Sequence, residues 1–257
     1  MPQIAQHLEL ARGRVEPVLL SRARSALCFL AALLFALPSP VGAATRAELS
    51  ADLPDHQVLL HALAAYRRAE RAGLVRNQLL TVIDYGLPSS LRRLWVIEPR
   101  SLRILMHEFV AHGRGSAPVE DPDRAVRFGN EPESHRSSLG TFLTGDAYTG
   151  EHGYSLELFG LEAGVNDRAQ ERHIVMHPAA YVGQAFRLRS GGRVGRSWGC
   201  PALDPSVAHT LIERIQEGSV LFAAGPNRGE VPTQRLLLVR PGAHAADLQA
   251  LNADQGG

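Results

Sequence analysis

Leu94-Trp95-Val96-Ile97-Glu98-Pro99-Arg100-Ser101-Leu102-Arg103-Ile104-Leu105-Met106 places two short apolar runs on either side of a Glu-Pro-Arg-Ser break. Aromatic and β-branched residues favour extended backbone, and a proline-containing break of four residues reads as a hairpin turn between two strands. The same rhythm continues in both directions. Leu80-Thr81-Val82-Ile83, Phe109-Val110-Ala111, Gly140-Thr141-Phe142-Leu143, Ser155-Leu156-Glu157-Leu158-Phe159 and His173-Ile174-Val175-Met176 are short and apolar, and they are separated by Gly, Pro and Ser. From Leu79 onward this spacing predicts a mostly β domain. The stretch from Arg114 to Glu133 breaks the rhythm with a loop long enough to border a site.

Two helices frame the strands. Between Asp55 and Gly73, Val58, Leu59, Leu63 and Tyr66 fall on one face with arginines and Glu70 opposite, and glycine ends the run. After the last conspicuous turn, Asp204 suits an N-cap and Pro205 the first helical position. Val207, Leu211, Ile212 and Ile215 form one stripe, and Gly218 stops it. Ser219-Val220-Leu221-Phe222 and Arg235-Leu236-Leu237-Leu238-Val239 then return to the sheet, and a polar tail follows Pro241.

The first residues read differently. Arg12, Arg14, Arg22 and Arg24 precede the apolar run from Ala26 to Leu37, and Val41-Gly42-Ala43-Ala44 supplies small residues for cleavage. This is the pattern of an export signal, with an uncleaved anchor or an over-called start as the alternatives; the run is short for a membrane span. The expected organisation is therefore a signal or anchor over 1–44, a helical segment over 45–78, a catalytic domain over 79–240 and a frayed tail over 241–257. Without the signal, roughly two hundred residues remain, enough for one domain with a substantial core. Every basic side chain is arginine, which excludes a lysine nucleophile or Schiff base, and the near balance of charge excludes a nucleic-acid-binding surface.

Of two cysteines, Cys28 would leave with the signal, so Cys200 stands alone in a chain bound for an oxidising compartment. A lone thiol there is reactive, inert in the core, or joined to another chain. Its setting, Gly195-Arg196-Ser197-Trp198-Gly199-Cys200-Pro201, describes a turn where backbone comes close to a ligand. Upstream, His177 ends the apolar run Ile174-Val175-Met176. An imidazole beside a thiol draws the pair toward thiolate and imidazolium and then protonates a leaving amine, so the chemistry asks for a histidine at this point. Two other histidine groups compete. His107-Glu108-Phe109-Val110-Ala111-His112 resembles a zinc-protease motif but has one residue too many, and positions five apart on a strand face opposite ways. His135 and His152, taken alone, fit polar loops around a hairpin.

Met176-His177, Ala179-Ala180-Tyr181 and Gly195-Arg196-Ser197-Trp198-Gly199-Cys200-Pro201-Ala202-Leu203 together resemble the signature of the murein L,D-transpeptidase catalytic-domain family, a relative of the YkuD-like L,D-transpeptidases. Tyr85-Gly86-Leu87-Pro88-Ser89, Val110-Ala111-His112-Gly113, Ser134-His135-Arg136-Ser137-Ser138-Leu139-Gly140 and Gly153-Tyr154-Ser155-Leu156 follow in the order that family leads one to expect. Three positions depart from the wider pattern: Pro178 stands where glycine follows the first histidine, Trp198 replaces the second, and Pro201-Ala202 follow the cysteine. The branch that this chain resembles tolerates a non-histidine before Gly-Cys, which concentrates the base role on His177.

The resemblance implies a β-rich, sandwich or barrel-like catalytic fold and an exported or wall-associated bacterial enzyme that acts on peptidoglycan stem peptides without a cofactor or metal. Membrane contact would come only through an uncleaved N-terminal segment. In the implied reaction Cys200 attacks the third-residue carbonyl of a tetrapeptide stem, His177 serves as acid and base, and a thioester passes to an amine acceptor. Backbone amides at Gly199 and Cys200 would hold the oxyanion, and Ser197 would orient His177 or that oxyanion. Arg196 would pair with a stem carboxylate, Trp198 would wall the cleft, and Tyr181, Ser138, His135 and His152 would line it. The alternatives are a carboxypeptidase or amidase that only hydrolyses, and a wall-binding module without chemistry.

Overall fold

The computed structural model describes residues 53–227. The expected export segment over 1–44, the strand Arg235–Val239 and the tail from 241 lie outside those residues. The first helix, α1 (His56–Arg71), begins at an Asp55 N-cap whose carboxylate accepts from the Gln57 amide, and it carries Arg68 and Arg71 in its last turn, where the helix dipole favours cations. Ten strands follow, with two further helices between the later ones: β1 (Leu80–Asp84), β2 (Leu94–Glu98), β3 (Arg103–Glu108), β4 (His112–Gly113), β5 (Gly140–Gly150), β6 (Gly153–Gly160), β7 (Val175–Pro178), α2 (Gln184–Arg189), β8 (Arg196–Ser197), β9 (Ala202–Leu203), α3 (Pro205–Ile215) and β10 (Val220–Ala224).

Eight strands form one sheet in the order β3-β2-β1-β10-β5-β6-β7-β9, while β4 and β8 pair as a separate ribbon. The mostly β class holds, and the main sheet is open, with β3 and β9 as its two edge strands. Both faces of its centre are covered. On one, Leu80, Val82, Trp95, Ile97, Val220 and Phe222 pack against Val58, Leu59, Ala62, Ala65, Tyr66 and Ala69 of α1. On the other, Ile83, Leu94, Val96, Phe142, Leu156, Met176 and Leu221 pack against Ala208, Leu211, Ile212 and Ile215 of α3. Neighbouring residues on a strand point to opposite faces, so a centre covered on both sides needs unbroken apolar runs, which is why β1 and β10 are buried along their whole length. Within the expected 45–78 helical segment, α1 is accordingly a layer of this core.

The predicted hairpin is present: β2 and β3 pair antiparallel, and the Leu102 amide donates to the Glu98 carbonyl at 2.9 Å across the turn. The second predicted helix begins at the Asp204 N-cap with Pro205 in its first turn. Two strands differ from expectation. Phe109-Val110-Ala111 forms only an isolated bridge, Val110 to Leu203, because the buried Arg93 guanidinium takes the Val110 carbonyl with Nε at 3.1 Å and Nη2 at 2.9 Å. The strand read from His173 starts at Val175, since His173 adopts a left-handed backbone (φ 53°) that closes the preceding turn. Helix α2 escaped the sequence because none of its six residues is buried, leaving no apolar stripe to read.

Candidate active site

The Cys200 turn sits where the ribbon meets the edge of the main sheet. Strand β8 pairs in parallel with β4, and after residues 198–201 strand β9 pairs in parallel with β7. Strands of two residues offer few ladder bonds, so side chains hold the turn. Ser197 Oγ donates to the Cys200 carbonyl at 2.6 Å and accepts from the Gly199 amide at 3.1 Å. Ser137 Oγ donates to the Gly199 carbonyl at 3.2 Å and accepts from the Gly113 amide at 3.0 Å, tying the turn to β4. Gly199 takes φ +125°, and a Cβ there would lie 2.8 Å from the Arg136 carbonyl and 2.9 Å from Ile174 Cδ1. Glycine is required on both counts.

Cys200 is buried, with Sγ donating to the His173 carbonyl at 3.6 Å. His177, also buried, lies on β7 opposite Ala202, so that Cys200 falls alongside Val175, whose amide works to lower the thiol. The imidazole Nδ1 is 3.0 Å from the Pro178 carbonyl. A carbonyl only accepts, so Nδ1 carries the proton and Nε2 presents its lone pair. His152, from the β5–β6 turn, places its ring 4.8 Å from that of His177. No hydrogen bond joins Sγ to the imidazole: the fold brings the two side chains to one strand edge, two register positions apart.

The electrostatics correct the expected ion pair. Burial pushes the Cys200 thiol up, against lowering by the Val175 amide and the Arg172 charge. Burial also pushes the His177 imidazole down, and His152 adds to the effect, while the Pro178 bond opposes it. Both shifts favour neutral forms, so the resting pair at neutral pH is thiol and imidazole.

Other expected residues fall in two groups. Gly199 was expected to offer its amide to an oxyanion, but that N–H is bonded to Ser197; the Cys200 amide, which lies against its own sulfur, remains. Ser197 was expected to orient His177 or the oxyanion, yet both roles of its hydroxyl are taken inside the turn. Ser138 was expected in the cleft; it is buried, donates to the Gly129 carbonyl at 2.8 Å and accepts from Arg172 at 2.6 Å, so it fastens the loop. Tyr181 is half-buried, its phenol pushed up to about 12 by burial first and by Cys200 second. Arg196 is exposed at the rim. Trp198 is exposed and contacts His135 and Arg114.

The two histidines of the zinc-like segment part company. His107 stacks on Trp95 with centroids 4.6 Å apart, whereas buried His112 accepts from Arg93 Nη2 at 2.8 Å. Among the described residues no group of three His, Cys, Asp or Glu side chains is placed to hold a metal.

Sequence reasoning passed over Arg172. Its Nη1 donates to the Gly129 carbonyl at 2.9 Å and to Ser138, and its Nη2 donates to the Arg136 carbonyl at 2.6 Å. The guanidinium thereby pins the 129–138 loop against Gly199 and sets a positive charge beside the thiol. Its position five residues before the base was the only available signal, and an arginine among Glu171, Arg172 and His173 looks like ordinary surface.

Comparison with known proteins comes to the same place. Among curated proteins none matches this chain. Solved structures that resemble it include an L,D-transpeptidase from Mycobacterium smegmatis (14% identity, 57% of this chain and 58% of that one, TM-score 0.34). Two others are L,D-transpeptidase 1 from Mycobacterium tuberculosis (13%, 58% and 63%, 0.33) and an L,D-transpeptidase from Stackebrandtia nassauensis (12%, 62% and 64%, 0.34). The matched region spans less than two thirds of each of those three chains. The family assignment rests instead on the model of the L,D-transpeptidase catalytic domain, which matches residues 51–224 and so takes in α1, the sheet, His177 and Cys200. This chain belongs to the L,D-transpeptidase catalytic domain family.

Proposed function

We propose that the protein is an exported cysteine acyltransferase that cross-links peptidoglycan stem peptides through a thioester at Cys200. The observation that carries the reading is the His177 ring: its Nδ1 is fixed on the Pro178 carbonyl, leaving Nε2 as a base on the strand beside the only cysteine among the described residues. Family membership supports the substrate class, and the basic and apolar segment before Ala44 supports export.

The reaction starts from neutral partners. Sγ leaves the His173 carbonyl and turns toward the substrate, and Nε2 takes the thiol proton as sulfur bonds to the carbonyl carbon of the third stem residue. The tetrahedral oxyanion is met by the Cys200 amide, a preorganised donor of a kind whose loss costs about a hundredfold or more. Collapse breaks the carbon–nitrogen bond to D-alanine, whose nitrogen receives the proton from Nε2, and a thioester remains. An acceptor amine then attacks the thioester, gives its proton to Nε2, and expels the sulfur, which regains that proton. Water in place of the amine gives a shortened stem, the carboxypeptidase outcome.

The test is intact mass of the protein after incubation with a disaccharide-tetrapeptide or a carbapenem. The expected result is an adduct on the wild type that is absent from Cys200→Ala and slow to form on His177→Ala. Absence of an adduct on folded wild type with every substrate offered overturns the reading in favour of a wall-binding module. Chromatography of the products then separates joined muropeptides from shortened monomers, and only the former agree with transfer.

A further inference from the structure

The chain has two tryptophans, and they are held in opposite ways. Trp95 is 3% exposed and stacks on His107 inside the fold, as a packing residue does. Trp198 is 68% exposed, two residues before the nucleophile. Other exposed apolar side chains, such as Val119 and Leu188, are small and unsupported, a normal surface feature. Trp198 is different because neighbours hold it in place: the His135 ring centroid lies 5.0 Å away at 39°, and the Arg114 guanidinium lies 5.2 Å from the indole centroid. These supports are themselves joined, since Arg114 Nε and Nη2 approach His135 Nδ1 at 3.2 and 3.0 Å and the Arg114 amide donates to the Ser197 carbonyl at 2.8 Å. His135 accepts a left-handed backbone (φ 52°) at that position.

A large aromatic surface fixed in water beside a nucleophile is preorganised for a flat, C–H-rich partner that buries it. A carboxylate is a poorer match for the indole itself, because the cation held over it, Arg114, already lies against the ring and His135. The reach agrees with a sugar. If the thiol attacks the third stem residue, two residues at roughly 3.3–3.6 Å each separate that residue from the sugar that carries the stem, which places the ring about 10 Å from the sulfur. The Trp198 Cα is at most about 7 Å from that of Cys200 along the chain, and the indole extends further.

We infer that Trp198, braced by Arg114 and His135, is a stacking platform for a pyranose ring of the glycan strand, so that the enzyme recognises its substrate by sugar as well as by peptide. This assignment rests on the peptidoglycan reading above but is tested separately from it.

The first measurement is calorimetric titration of the protein with glycan strands stripped of stem peptides, for wild type, Trp198→Ala and Trp198→Phe. Wild type binds, Trp198→Phe stays close to it, and Trp198→Ala weakens binding about fivefold to tenfold, the range of one aromatic stacking contact. No binding by wild type, or equal binding by Trp198→Ala, overturns the platform. The second compares the acylation kcat/KM of a disaccharide-tetrapeptide with that of the free tetrapeptide. Trp198→Ala reduces the preference for the sugar-bearing substrate by the same factor, whereas equal losses on both substrates assign the indole to the peptide and overturn the inference. If wild type is acylated by neither substrate, the acyl-enzyme reading fails while the glycan titration still decides this one.

Discussion

The α1 face of the sheet and the edge that carries Cys200 are built by opposite means. Beneath α1, five-residue strands β1 and β10 pair in parallel along their whole length, and the interface is almost wholly aliphatic and aromatic. At the other edge β4, β8 and β9 are two residues each, and buried polar side chains do the joining: Ser137, Ser197, His112 and Arg93. The first region draws its stability from area removed from water and tolerates small shifts. The second depends on directional bonds whose lengths fix where Sγ and Nε2 sit, so its failures should appear in rate before they appear in stability.

The largest effect tests the first half of that contrast. Phe222→Ala opens a cavity in the α1 face and is expected to cost about 3–5 kcal/mol in denaturant unfolding while acylation per folded molecule is unchanged. Loss of rate in the remaining folded protein would show that the two regions are coupled. Next comes Gly199→Ala, where a Cβ at positive φ meets the Arg136 carbonyl and Ile174. Acylation should fall about a hundredfold, equivalent to about 2.7 kcal/mol, with a smaller loss of stability; wild-type rates would break the comparison.

Arg172→Ala should act on both loop and charge. Removing the cation raises the thiol further, so alkylation of Cys200 by iodoacetamide, followed by peptide mass across pH, should shift to higher pH with rates about tenfold lower near neutrality. An unshifted profile would reduce Arg172 to a loop fastener. His177 supplies a related check: its imidazole is held below the ordinary value of 6.5, so the acid limb of acylation kcat/KM should lie below pH 6.5. A limb above that value would contradict the neutral resting pair.

Per pH unit, the smallest effect concerns the ribbon. His112 is pushed down to about 3 from 6.5, by burial first and the Arg93 charge next. Between those values the unfolded chain takes up a proton that the folded protein refuses, so stability falls as pH drops from 6.5, by up to about 1.4 kcal/mol per unit. His112→Asn, which keeps an acceptor for Arg93 without titrating, should flatten the slope of thermal unfolding midpoint against pH. An unchanged slope would place the acid sensitivity elsewhere.

Much of the two covered faces of the sheet was legible because apolar area leaves a periodic mark. Unbroken runs gave β1 and β2, the stripe with its Asp204-Pro205 start gave α3, and Asp55 and Gly73 bracketed α1. Of the candidate site, Cys200 and His177 could be singled out because their chemistry is distinctive and the blocks around them resemble a family, and the fold brings the two to one strand edge. The roles assigned to Ser197, Ser138 and the Gly199 amide were misread: a hydroxyl or amide near a nucleophile in sequence is equally suited to closing the turn, and only geometry shows which bond it makes. Arg172 and Ser137 left little signal for the bonds they make, because each reaches backbone carbonyls or amides distant in sequence.

The sequence by itself therefore determined the mostly β class, the two long helices with their N-caps and the family, and it singled out Cys200 and His177, since these depend on local propensity, periodicity and residue chemistry. Only the tertiary structure decided that Nδ1 of His177 is held by Pro178, that thiol and imidazole rest neutral, that Arg172 faces the nucleophile turn and that Trp198 is braced in the open. Each of those depends on burial and on bonds between segments far apart in the chain, and long-range contact is what a linear pattern does not encode.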